Sequence, residues 1–214
     1  MTVIDTIAVV GAGAWGTALA INAARAGRRV VLWGRDADAA RAMEETRENR
    51  RYLPGIPLDP AIHITADIQD TAVADAILLV VPAQTVAEVA GALGPGGQPL
   101  IIAAKGLERG TDRRLSEVIT DRLPERPVAA LSGPNFAREV ALGLPAAATL
   151  ACGDEKVGRR LAEAMSHEQF RLYWTDDLIG VEIGGAVKNV LAIAAGMVAG
   201  RGLGENAKAA LITR

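Results

Sequence analysis

Lys188 is the residue whose surroundings most need a chemical explanation. It stands in Gly184-Gly185-Ala186-Val187-Lys188-Asn189-Val190-Leu191, within an otherwise apolar helical stretch. A lysine so placed has to find a partner or titrate below its ordinary range, because burial penalises the charged form. A lysine adjusted in that way donates and accepts protons near neutral pH. Glu182 and Asn189 are near in sequence, but 182 and 188 are not three or four residues apart and do not pair cleanly along a helix face. A stem snorkelling from a helix edge is the plainer alternative. Gly184 and Gly185 cost helix propensity, which close approach of a backbone or a ligand would explain.

Three further clusters have the types and spacing to act on a ligand. Gly11-Ala12-Gly13-Ala14-Trp15-Gly16 lies between an apolar β-branched run and a helical stretch. In that context G-x-G-x-x-G is the dinucleotide-binding fingerprint. Gly11 serves the tight turn, Gly13 admits a pyrophosphate at the helix start, and Gly16 lets helix and sheet pack closely; a glycine turn without a ligand is the alternative. Trp33-Gly34-Arg35-Asp36 lies where this fold reads the adenosine ribose. There Arg35 favours the 2′-phosphate of NADP and Asp36 keeps NAD open, while a solvated loop pair would look the same. The third cluster comprises two segments that follow strands. Lys105 in Ala104-Lys105-Gly106 sets a cation at a strand end, or is a surface lysine. Gly133 and Asn135 in Ser132-Gly133-Pro134-Asn135-Phe136-Ala137 stand near a helix start, suited to an anion or to a helix cap.

The elements that must position these residues alternate. Strands are expected at 6–10, 30–33, 62–65, 76–81, 100–104, 128–131, 146–151 and 170–173. Several are apolar throughout, as parallel strands covered on both faces are. Helices are expected at 15–26, 37–48, 83–93, 113–123, 136–142 and 155–165. This β-α-β rhythm predicts an α/β fold with a doubly wound, mostly parallel sheet of Rossmann-like type. Such sheets bind ligands beyond the carboxyl ends of their strands. The pattern changes near 176–180. A long helix at 181–199 and a helix at 205–214 follow, with no strand between them. Residues 1–180 are therefore expected to form a dinucleotide-binding domain, and 181–214 the beginning of a helical substrate domain.

Composition narrows the class. Half of the 214 residues are hydrophobic but only 3% are aromatic, so the core must be built from Ala, Val, Leu and Ile. The net charge is −2 and the basic residues are scattered, which argues against nucleic acid. Cys152 stands alone, so there is no internal disulfide, and no Cys/His cluster has metal-ligand spacing. The N-terminus has no basic n-region; the expected compartment is the cytoplasm. Glu182 and Lys188 make 181–199 a poor membrane span, so a buried helix is expected instead.

Taken together, these segments resemble the NAD(P)-dependent glycerol-3-phosphate dehydrogenases of bacteria. The matching pieces are Gly11–Gly16 with Trp15, Trp33-Gly34-Arg35, the segment 49–55, Ala104-Lys105-Gly106-Leu107-Glu108, Ser132–Ala137, Val187-Lys188-Asn189-Val190 and 204–214. Related β-hydroxyacid dehydrogenases tend to carry Asn four residues after their lysine. Position 192 here is Ala and the Asn is adjacent at 189, which favours the glycerol-phosphate family. The resemblance implies interconversion of dihydroxyacetone phosphate and sn-glycerol 3-phosphate with NADP or NAD, supplying glycerol 3-phosphate for phospholipid synthesis. It implies Lys188 as proton donor and acceptor, and Lys105 against substrate oxygens and cofactor. Gly133 and Asn135 would line the substrate pocket, and Ala14, Trp15, Arg35 and Ala137 would touch the cofactor. Members of that family carry a further helical half with an Asp and an Arg-Asn pair for the substrate. The chain is accordingly expected to be a fragment whose helix 181–199 exposes apolar surface and self-associates. The competing expectations are another β-hydroxyacid-type dehydrogenase and a non-catalytic NAD(P)-binding module.

Overall fold

The computed structural model describes residues 3–213. Eight strands form one sheet in the order β3-β2-β1-β4-β5-β6-β7-β8. They are β1 Thr6–Val10, β2 Arg29–Trp33, β3 Ile62–Thr65, β4 Ala76–Leu79, β5 Leu100–Ile102, β6 Val128–Ser132, β7 Ala146–Cys152 and β8 Phe170–Thr175. β1 to β6 run parallel, β7 is antiparallel to β6, and β8 is parallel to β7. β1 and β4 are buried along their whole length, which is why they read as continuous apolar runs. Two apolar clusters hold the sheet. One gathers Ile7, Val9, Leu19 and Leu78; the other gathers Ala8, Val10, Ile77, Leu79 and Ile119. The alternation of neighbouring residues between the clusters is the two-residue period of a strand covered on both faces.

The helices are α1 Ala14–Arg25, α2 Ala37–Thr46, α3 Val86–Ala92, α4 Leu115–Arg122, α5 Ala137–Leu142, α6 Glu155–Met165, α7 Leu178–Gly200 and α8 Gly204–Thr213. Every expected strand and helix is present; β1, β3 and α6 have the expected bounds and the others have shifted ends. Arg214, included in the last expected helix, lies outside the described residues. α2 stops two residues early because Arg47 turns left-handed (φ 50°) and donates to the carbonyls of Asp59 and Ile62 at 2.5 and 2.8 Å. The helix expected at 83–93 is split: Ala83–Thr85 form a 3₁₀ turn ahead of α3, with the Thr85 N–H donating to the Pro82 carbonyl at 2.9 Å. A 3₁₀ segment at Ile68–Val73 was not expected.

The long helix is where the structure departs most from expectation. α7 forms, but along it only Glu182 and Gly185 are buried. Val190, Ile193 and Met197 are each more than 60% exposed, so the buried helix expected from composition is not found, while the exposed apolar surface expected from the resemblance is. By length and composition alone α7 could cross a membrane.

Candidate functional site

The site lies at the switch point of the sheet. From β1 the chain moves outward to β2 and β3, then returns to β4 on the other side of β1, opening a crevice at the strand ends. The glycine turn sits in that crevice. Gly11 has φ +123°, and a Cβ there would meet the Val80 carbonyl oxygen at 2.4 Å. A Cβ on Gly16 would meet the Gly11 carbonyl oxygen at 1.8 Å. Both positions are closed to any side chain. Gly13 caps α1 without a side-chain hydrogen bond, and a Cβ there would meet nothing within 4 Å. Protein packing therefore requires Gly11 and Gly16, while the space at Gly13 stays open in front of a helix start, where an anion is favoured.

Beside this turn is a cleft of about 780 Å³, lined by Gly11, Gly13, Arg35, Arg50, Arg51 and Tyr52 among others. Arg35 is exposed at its rim. Asp36 is committed elsewhere: its Oδ1 accepts from the Asp38 and Ala39 N–H groups, both at 3.1 Å, and caps α2. Arg51 lies over the Tyr52 ring, 5.1 Å from its centroid. Asn49, which sequence reasoning did not single out, is buried and ties this segment to the turn. Its Nδ2 donates to the Ala12 carbonyl at 2.9 Å and to Thr17 Oγ1 at 2.8 Å; its Oδ1 accepts from the Tyr52 N–H at 3.2 Å. The segment 49–55 was marked by the resemblance alone, which gave Asn49 no role of its own.

A second group gathers at the ends of β5 and β6. Lys105 Nζ donates to the Gly133 carbonyl at 3.2 Å. Asn135 Nδ2 is shielded from solvent and has no hydrogen-bond partner. Neither Gly133 nor Asn135 caps α5: the cap position is Phe136, with no side-chain bond. α7 passes over this group so closely that a Cβ on Gly185 would stand 3.2 Å from Ser132 Oγ and 3.7 Å from Lys105 Cγ. The neighbours of Gly185 are thus side chains rather than the backbone or ligand its sequence position suggested, and a Cβ on Gly184 would meet nothing within 4 Å. Burial, and after it the positive charge of Lys188, hold Lys105 below the ordinary lysine range. Lys188 itself is exposed, not buried, and Glu182 bonds to α4 rather than to it. Trp15 and Ala137 are half-buried and pack on the same cluster, next to Ala14 at the start of α1. Among the described residues no group of His, Cys, Asp or Glu is placed to hold a metal ion.

A doubly wound sheet with a closed glycine turn at its switch point, an open helix start and cations at neighbouring strand ends defines a dinucleotide-dependent protein of Rossmann type. Comparison with known proteins narrows the class. The family model described as NAD-dependent glycerol-3-phosphate dehydrogenase N-terminus matches residues 6–158, and the corresponding C-terminus model matches 177–214. The chain is 55% identical to a glycerol-3-phosphate dehydrogenase [NAD(P)+] of Rhodospirillum rubrum, over 99% of this chain and 62% of that protein. It is 59% identical to one of Methylobacterium radiotolerans, over 97% of this chain and 64% of that protein. The crystal structure of glycerol-3-phosphate dehydrogenase from Coxiella burnetii superimposes with a TM-score of 0.88 at 41% identity, over 98% of this chain and 66% of that one. The chain belongs to the NAD-dependent glycerol-3-phosphate dehydrogenase family and spans about two thirds of the length of these relatives. The family cofactor, NAD or NADP, suits the residues present: the open space at Gly13 and the arginine-rimmed cleft accept a phosphate-bearing dinucleotide.

Proposed function

We propose that this protein is an oxidoreductase interconverting dihydroxyacetone phosphate and sn-glycerol 3-phosphate with NAD(P). When bound, the nicotinamide supplies or accepts the hydride. In this reading Gly11, Gly13, Ala14, Trp15, Gly16, Arg35 and Ala137 hold the cofactor. Lys105, Gly133, Asn135 and Lys188 face the substrate, which carries a phosphate. Lys188 gives the proton to the carbonyl oxygen during reduction and takes it back in reverse. Residues 1–180 then act as the dinucleotide-binding domain, and 181–214 begin the helical substrate domain. The setting is the cytoplasm and the use is phospholipid synthesis.

One observation carries the proposal: α7, which bears Lys188, passes over Lys105 at the end of β5 so closely that a Cβ on Gly185 would stand 3.7 Å from Lys105 Cγ. Burial, and after it the Lys188 charge, disfavour the protonated form of Lys105. An oxygen that turns negative beside the two lysines relieves the repulsion, and does so more in the transition state than in the ground state. Lys105 is fixed by the Gly133 carbonyl, so it is oriented before substrate arrives. Asn135 Nδ2 offers a free donor beside it.

The test is oxidation of NADH and NADPH by dihydroxyacetone phosphate. It is run on this chain and on a chimera completed with the C-terminal third of the Rhodospirillum rubrum relative. Turnover in the chimera, lost on Lys188→Ala with cofactor affinity kept, is the expected result. A chimera that binds cofactor but turns over none of this substrate overturns the proposal and points to a binding module. Turnover of a different hydroxy acid points to another dehydrogenase of the same fold.

A further inference from the structure

Glu182 is buried at the foot of an exposed helix, and among the described residues it is the one buried acidic side chain. Its Oε1 accepts from the Ser116 N–H at 2.9 Å, and its Oε2 accepts from the Ser116 hydroxyl. Arg114 Nη1 stands 3.5 Å from the same Oε2. Arg114 is itself held by Glu117, whose Oε2 accepts from the Arg114 N–H at 3.1 Å. Ser116 is the second residue of α4, so its N–H is one of the donors a helix start leaves without an intrahelical partner. A carboxyl group is favoured there by the helix dipole as well. Glu182 thus closes the start of α4 from a different element, 66 residues away.

Ordinary burial does not account for this choice. An apolar residue would cover the start of α4 without the desolvation cost of an acid, and such replacements are often neutral or stabilising. What the acid adds is registry: directed bonds to Ser116 prevent α7 from sliding or turning about its axis. Residues 182, 185 and 188 follow one i,i+3 row of the helix. The first is fixed to α4. The second rests on Ser132 and the Lys105 stem. The third is Lys188.

We propose that Glu182 is a positioning residue: by locking the first turn of α7 to the start of α4, it sets where Lys188 stands relative to Lys105 and Ser132. Its value for catalysis rests on the reading of Lys188 given above; its effect on geometry does not.

The experiment reads Lys105 directly. Amine labelling of the 214-residue chain across pH, quantified per lysine by mass spectrometry, gives the titration midpoint of Lys105. Glu182→Ala releases α7, removes both the cover and the Lys188 charge, and moves that midpoint up toward an ordinary surface lysine. Glu182→Gln keeps an acceptor for Ser116 and moves it less. Ile119→Val, in the fully buried part of α4, lowers the melting temperature and leaves the midpoint in place. If Glu182→Ala does not fold, Ser116→Ala is read instead and shifts the midpoint in the same direction. A Glu182 or Ser116 variant that loses stability with no movement of the midpoint overturns the proposal. In the chimera, misplacing Lys188 by about 1 Å is expected to cost on the order of 100-fold in kcat, with cofactor KM unchanged. Should Lys188→Ala leave turnover intact, the reading of that lysine falls, while the midpoint still decides whether Glu182 positions the helix.

Discussion

At the scale of single residues, the three glycines of the turn do different work, and substitution separates them. Gly13→Ala meets no protein atom within 4 Å. As a cap change it costs less than about 1 kcal/mol. The added methyl does intrude on the space left for a pyrophosphate, so cofactor affinity should fall at least about tenfold, or 1.4 kcal/mol, with little change in melting temperature. Gly16→Ala drives a Cβ into the Gly11 carbonyl, so it should lower the melting temperature and cofactor binding together. Calorimetry and cofactor titration on the pair check both statements; equal losses of stability would contradict them. The lysines make a second prediction. Lys188→Ala removes a positive neighbour from Lys105, which favours the protonated form, so the Lys105 midpoint rises. It stays below the ordinary range because burial, the larger cause, persists. Labelling across pH reads this, and a midpoint that fails to rise would show that the two charges do not interact. The glycine turn was legible because turn chemistry is a local signal, whereas the apolar run around Lys188 suggested a burial that the structure does not show. Asn49 and Glu182 were not legible, since their partners stand 32, 37 and 66 residues away.

Between elements, the segment after α2 depends on Asn49. Two hydrogen bonds donated by one buried amide join that segment to the glycine turn and to α1, and the amide oxygen accepts a third from the Tyr52 N–H within the segment. Arg138 at the start of α5 adds a bond to the Pro54 carbonyl at 2.9 Å. Asn49→Ala leaves the Ala12 carbonyl and Thr17 hydroxyl without that partner, a loss of about 1–3 kcal/mol. For a chain of this size each kcal/mol moves the melting temperature by about 2–4 °C. Cofactor affinity should drop as well, because Arg50, Arg51 and Tyr52 line the cleft and are placed by this bond. Unchanged affinity at reduced stability would mean the segment is a brace only. Strand positions could be read from apolar runs bounded by turn residues, and the sheet class from their alternation with helices. The reversal between β6 and β7 could not, because thirteen residues with a short helix also suit a parallel crossover. The early end of α2 was hidden for a similar reason: Arg47 is fixed by carbonyls beyond a loop, at Asp59 and Ile62.

Across the whole molecule, the sheet and its two apolar clusters form a closed body, and α7 with α8 stands against one end of it. The first turns of α7 are fixed by Glu182 and Gly185; beyond them the helix displays Val187, Val190, Leu191, Ile193 and Met197 to solvent. The apolar composition that suggested a buried helix is real, but burial needs a partner surface, and none of the described elements provides one. Exposed apolar patches of several hundred Å² mark association surfaces. The 214-residue chain should therefore bind an apolar dye, and its sedimentation coefficient should rise with concentration. Val190→Glu with Ile193→Lys introduces opposite charges at two highly exposed positions. Surface changes of this kind usually alter stability by no more than about 0.5 kcal/mol, so the melting temperature should hold while dye binding and association both decline. A parent chain that sediments as a clean monomer and binds no dye would contradict this account. A variant that loses stability along with association would show that these side chains belong to the folded body rather than to its exposed face.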